Sequence, residues 1–236
     1  MDNFGLKLEN FWQIFYHEQG YAFVLTGLQN TLLIAVLGLV FGTLLGTLIA
    51  VVRVVPKRTT LPRVLNGVCS FYVALFRGTP IVVQLLVMYY VLLPMMGINI
   101  PSLNVCILVF SLNSAAYISE MMRAGIESVD PGQLEAGRAV GLSYPTTMLK
   151  IVVPQAIKNI LPTLGNEFIA LIKETSVVSF VGTADLYVAF NSIGVNSYEF
   201  MVPYLVMAII YIGLVMIISA LIKVMERSLK KSDRRN

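Results

Sequence analysis

The chain has 236 residues, of which 57% are hydrophobic and only 13% charged, with a formal net charge of +4 and a mean hydropathy of +0.78. Soluble domains carry about 25% charged residues, so this composition describes a membrane protein. The only cysteines, Cys69 and Cys106, lie in apolar runs without metal-ligand spacing, and the only histidine, His17, stands among polar neighbours, which excludes zinc and redox chemistry as the function.

The opening stretch MDNFGLKLENFWQIFYHEQG is mixed and polar, unlike a cleaved signal sequence. Residues 1–21 are therefore expected to form an extracytoplasmic or interfacial segment. Phe11, Trp12, Phe15, Tyr16 and Tyr21 in it suit an aromatic belt at a membrane boundary. Apolar stretches long enough to cross a bilayer follow at about 22–53, 64–96, 102–126, 162–189 and 201–224. These predict an all-α polytopic protein with a transmembrane domain over 22–226 and a basic tail over 227–236.

Charge between the spans orients them. Arg53, Lys57, Arg58 and Arg63 follow the first; Arg138, Lys150 and Lys158 lie between the third and fourth; Lys223, Arg227, Lys230, Lys231, Arg234 and Arg235 follow the fifth. The opposite side holds Lys7 alone. Positive charge marks the cytoplasmic face, which predicts the amino terminus outside and the carboxyl terminus inside. The basic excess is thus a topology signal, and no nucleic-acid partner is expected.

In the first span Gly38, Gly42 and Gly46 share one helix face and invite close approach of another backbone, within the bundle or at a subunit interface. The second contains FRGTP at 76–80. One helix over 64–96 would reach about 50 Å, beyond the roughly 30 Å of hydrocarbon, so a break is expected at Gly78 and Pro80.

Between the third and fourth spans comes the one long hydrophilic insertion, 130–160. Asp130 is placed to cap a helix starting at Pro131 and ending at Gly141. Ser143 is placed to cap a second, with Pro145 near its start and Pro154 ending or kinking it. Leu134, Val140, Leu142, Tyr144, Met148 and Ile151 give this pair an apolar side, for its own bundle or for a groove on a partner protein.

The insertion also carries a pattern. Glu135-Ala136-Gly137, then Gly141, then Ile151, Val153 and Pro154 resemble the E-A-A-x3-G-x9-I-x-L-P loop of binding-protein-dependent ABC importer permeases, with Gly137 and Val153 as conservative departures. FRGTPIVVQL, SLNSAAYISE and LPTLGNEFIALIKETSVVS extend the resemblance, to the polar amino acid subfamily, over about residues 20–228. The resemblance implies a type I importer fold with five membrane helices in a bacterial inner membrane. It implies three kinds of partner: a second permease subunit, identical or related; a pair of ATPase subunits; and an extracytoplasmic amino-acid-binding protein. Glu135, Ala136, Gly137, Gly141, Leu142, Ile151 and Pro154 would form the ATPase-coupling element. This chain would hold no cofactor and would not be an enzyme. ATP and Mg would belong to the ATPase subunits, in keeping with the lack of a G-x4-G-K-[ST] phosphate loop here.

Arg77, Glu120, Glu167, Lys173 and Glu174 stand inside predicted spans. Each costs about 2.5–3.5 kcal/mol at a helix centre, so they must face one another or a watery cavity. An amino acid is a zwitterion whose site needs both signs. Arg77 is the candidate for its carboxylate and Glu120 for its ammonium, with Asn113, Tyr117, Gln84, Glu167, Thr175 and Ser176 as lining. The alternative is that Arg77 pairs permanently with Glu120 or Glu174 and only fixes helix packing. At the level of function, an ion-coupled secondary transporter and a non-transport membrane scaffold are the competing readings.

Overall fold

The computed structural model describes residues 2–55 and 59–233, with side chains over 4–55 and 59–228. Lys57, Arg58, Arg234 and Arg235, and the side chains of Lys230 and Lys231, lie outside the described residues. Among the described residues there is no strand. The helices are α1 (Asp2–His17), α2 (Gly20–Val54), α3 (Thr60–Gly78), α4 (Ile81–Val87), α5 (Ser102–Glu127), α6 (Pro131–Ala139), α7 (Tyr144–Thr147), α8 (Val153–Glu174), α9 (Leu186–Ser197) and α10 (Met201–Asp233). Three of them, α2, α5 and α10, are long and apolar enough to cross a membrane, or up to five spans exist if each of two bent helix pairs is one span.

The second predicted span is two helices. Pro80 excludes Thr79 from helical backbone, and Thr79 sits at φ −124°, ψ 144°, ending α3. α4 continues through a π-turn over Met88–Leu92. Two expectations need correction at the fourth span. Of the two outcomes expected at Pro154, an end or a kink, the end does not occur: α7 passes through a π-turn, Met148–Val152, directly into α8. The widened turn shifts the hydrogen-bond ladder just ahead of a proline that has no amide to give. Accordingly this helix begins well before residue 162 and runs through Pro162, then tightens to a 3₁₀ segment, Thr175–Val181, closed by Gly182 at φ 72°.

The chain divides into two compact units: 1–38, 80–110 and 169–217 form the first, and 39–79, 111–168 and 218–236 the second. In the first, α1 packs on α9, and Phe11, Ile14, Val24, Leu186, Phe190 and Ile193 make the core. Phe11 is only 1% exposed, so it is a core residue and not part of an aromatic belt, whereas Trp12, Tyr16 and Tyr21 are exposed. Helix α2 approaches the start of α9 so closely that a Cβ on Gly27 would lie 2.4 Å from the Asp185 carbonyl oxygen. Lys7 Nζ lies 2.7 Å from Glu199 Oε2, and Glu199 Oε1 accepts a hydrogen bond from the Met201 amide at 2.9 Å.

In the second unit the glycine face of α2 meets α5. A Cβ on Gly42 would stand 2.8 Å from Ser114 Cβ, and one on Gly46 2.9 Å from the Ala115 carbonyl oxygen. These two glycines therefore serve packing within the subunit. Tyr72 of α3 donates its hydroxyl to the Leu112 carbonyl, and Ile49, Val73, Ala115 and Ala116 complete that contact. A further core of Val129, Val152, Ala156 and Ile160 takes in Leu134 and Met148, seating the helix pair of 130–152 on α8.

Candidate functional site

In the second unit, the last turns of α2 and α3 deliver Arg53 and Arg77 to the carboxylate of Glu120 on α5. Arg53 donates to Glu120 Oε1. Arg123, one turn further along α5, gives Glu120 Oε2 two bonds, Nε at 3.2 Å and Nη2 at 2.8 Å. Its Nη1 reaches both oxygens of Glu127, at 2.7 and 2.6 Å. Arg77 Nη1 stands farther off, 3.9 Å from Glu120 Oε2, with its Cζ 5.4 Å from the centroid of the Tyr117 ring. The side chain of Arg77 is 45% exposed, against 14% for Arg53 and 17% for Glu120. The cluster thus contains two committed arginines and one whose fork is held by a ring face and remains open to a further carboxylate.

Asn113, Tyr117 and Glu120 share one face of α5 by their spacing. Asn113 is buried, and so is Glu167, whose Oε1 accepts from Ser114 Oγ at 3.1 Å. The structure therefore brings Arg77, Tyr117 and Glu120 together and gives Glu167 a hydroxyl partner. Gln84, Thr175 and Ser176 belong to the first unit, where α4 packs on the 3₁₀ segment. There Thr175 is buried with its hydroxyl donated to the Ile172 carbonyl at 2.7 Å. Sequence reasoning missed Arg53, Ser114, Arg123 and Glu127. The spacing Glu120, Arg123, Glu127 is a readable i, i+3, i+7 ladder; the other two contacts are made between helices and leave no local signal.

The helix pair is built as its punctuation predicts. Asp130 Oδ1 accepts from the Gly132 amide at 2.8 Å, and Ser143 Oγ from the Thr146 amide at 3.3 Å. Gly141, at φ 87°, closes α6 in a Schellman motif: its amide bonds the Arg138 carbonyl at 3.1 Å, and the Leu142 amide bonds the Gly137 carbonyl at 3.1 Å. Of the coupling candidates, Glu135, Ala136, Gly141 and Pro154 are exposed, Leu142 and Ile151 half-buried, and Gly137 buried beneath Thr147. The pair thus presents Glu135 and Ala136 outward from a base fixed by Gly137 and Leu134.

A family of binding-protein-dependent transport system inner membrane components matches residues 38–231. The chain belongs to that family. It is 37% identical to the arginine transport system permease protein ArtQ of Bacillus subtilis over 211 residues, 89% of this chain and 94% of the relative. It is 38% identical to the putative glutamine transport system permease protein GlnP of Rickettsia bellii over 207 residues, 88% and 93% of the two chains. Among solved structures, an amino acid ABC transporter crystallised with histidines superposes with a TM-score of 0.82 at 38% identity, covering 91% of this chain and 98% of that one. The methionine transporter MetNI, at 19% identity and a TM-score of 0.73, shares the fold.

Proposed function

We propose that this chain is one of two pore-forming permease subunits of an ATP-driven importer that carries a polar or charged amino acid into the cytoplasm. The observation that carries the reading is the projecting helix pair, capped at both starts and anchored through Gly137, with Glu135 and Ala136 turned outward. A rigid pair of this kind is suited to enter a groove on a separate ATPase subunit, which would bind ATP and Mg and drive alternating access. The related arginine, glutamine and cystine systems support an amino acid as cargo, delivered by an extracytoplasmic binding protein. The amino terminus lies outside and the carboxyl terminus inside. The Lys7–Glu199 pair puts its two members on one side, with an even number of crossings between them, and the basic residues after the first, third and fifth spans mark the other side as cytoplasmic.

Arg77 takes the substrate carboxylate. Glu120 takes the ammonium by exchanging its most distant cation, Arg77, while Arg53 and Arg123 stay in place. Asn113, Tyr117 and Glu167, of the same unit, line the path. The test is reconstitution in liposomes with the ATPase subunits and binding protein, followed by a panel of labelled amino acids. ATP-dependent uptake of one or more is expected, and uptake that ignores ATP overturns the reading. Arg77→Lys and Glu120→Gln should each weaken intramembrane substrate binding; unchanged affinity in both removes the pair from the site.

A further inference from the structure

We infer that Asp185 and Tyr211 bound a buried site for one small monovalent metal cation, at the break between the 3₁₀ segment and α9. Asp185 is fully buried. Its Oδ1 accepts from the Val188 amide at 2.9 Å and so caps α9. Its Oδ2 is buried with no hydrogen-bond partner among the described residues, and the hydroxyl of Tyr211 on α10 is in the same condition. The carboxylate lies close enough to act on the phenol electrostatically, and the Thr175 hydroxyl stands beside that phenol. Thr31, fully buried on α2, places its Oγ1 3.4 Å from the Leu186 amide. A carboxylate, a phenol and two threonine hydroxyls thus gather near the start of α9. All belong to the first unit, whereas Arg77 and Glu120 belong to the second, so the site is distinct from the proposed cargo site.

Orphaned buried polar atoms require an explanation, and three species could answer these two. A water would bond both oxygens but bring no charge. Among the described residues Asp185 has no ion pair, and the positive end of α9 supplies only about half a charge. A proton on Oδ2 would cancel the charge and create a donor. Tyr211 does not hydrogen-bond that oxygen, so the new donor would be orphaned in turn. A metal cation cancels the charge and binds the lone pairs of both oxygens at once. Hard oxygen donors suit it, and a single carboxylate sets its charge at one. Among the described residues no three His, Cys, Asp or Glu side chains that could hold a metal come together, so a divalent ion would stay undercompensated. The location agrees. The break falls inside a bent helix pair that qualifies as one span, and interrupted spans are where membrane proteins hold monovalent ions. Tyr211 also borders an open groove of about 520 Å³, which gives a small ion a way in.

Thermal unfolding of the full-length chain in lipid nanodiscs tests this, with sodium chloride titrated against choline chloride at constant ionic strength. Sodium should raise the midpoint saturably, by about 3–6 °C at ten times the half-saturating concentration. Asp185→Asn keeps a side-chain oxygen for the α9 cap and removes the charge, so its midpoint should ignore sodium. Tyr211→Phe should need about tenfold more sodium for half-saturation. Should Asp185→Asn fail to fold, Tyr211→Phe decides alone. No rise with sodium leaves a water or a proton in that place and overturns the inference. A rise that choline matches, one that persists in Asp185→Asn, or an unaltered half-saturation in Tyr211→Phe overturns it as well. None of these outcomes bears on the importer reading, which is tested by uptake.

Discussion

Gly137 lies so close to Thr147 that a Cβ on the glycine would stand 2.4 Å from the Thr147 Cγ2 and 3.2 Å from Ile151 Cδ1. The two arms of the projecting pair touch through a missing side chain. Thr147 is fully buried and donates its hydroxyl to the Ser143 carbonyl at 3.0 Å, so its methyl cannot swing away without breaking that bond. The family pattern has alanine at this place. Gly137→Ala, although it restores the pattern, is expected to cost about 1–3 kcal/mol by overpacking. Thr147→Ser, which removes the methyl and keeps the hydroxyl, should return most of that loss in the double variant. Thermal unfolding in detergent measures both, and a neutral Gly137→Ala would refute the contact.

Glu120 is the shared acceptor of Arg53 and Arg123, and its removal leaves like charges facing each other. Glu120→Gln is expected to destabilise the chain by about 1–3 kcal/mol, less than a fully buried pair would, because solvent reaches the cluster. Arg53→Met alone should cost less, since Arg123 and Arg77 still serve the carboxylate. The double-variant cycle should show a coupling of about 1 kcal/mol, typical of residues in direct contact. Additive losses would mean that Arg53 and Glu120 do not act as a pair.

How far these features were readable depends on their range. The helix pair was legible because capping is local chemistry: Asp130, Pro131, Gly141 and Ser143 do at short range what their residue types favour. The break at Thr79 was legible for the same reason. Pro154 misled because a π-turn absorbs a proline that would stop a regular helix, and nothing in the local pattern announces the extra residue. Phe11 misled because an aromatic beside Trp12 reads as interfacial until α9 covers it. At the site, Arg77 and Glu120 stood out as charges among apolar residues, while Arg53 was assigned to the loop after the first span and its partner could be found only in three dimensions.

Asp130 sets the start of α6 through one hydrogen bond to the Gly132 amide at 2.8 Å, ahead of Pro131. Asp130→Ala is expected to cost about 1 kcal/mol, the usual worth of such a cap. Asp130→Asn should keep most of it. The effect should be confined to 131–139, read as faster amide hydrogen exchange there with the spans unchanged. Exchange that rises equally throughout the chain would contradict a local role.

Lys7 and Glu199 tie α1 to the turn before α10, and the tie should respond to acid. The hydrogen bond from Lys7, followed by that from the Met201 amide, holds the Glu199 carboxyl below its ordinary value. Since the folded value is depressed, the stabilisation is complete above the ordinary glutamate value of about 4.3 and is lost as pH falls through the lower, folded one. Trp12, the only tryptophan, reports on α1: it lies 5.3 Å from the ring of buried Phe11 and is 42% exposed. Its emission should stay constant from neutral pH to about 5 and then shift with a midpoint below about 4.3. The part of the shift that belongs to the tie is the part absent from Glu199→Gln and from Lys7→Met. An acid shift of the same size and midpoint in both variants would show that α1 is held by Phe11 and its neighbours alone.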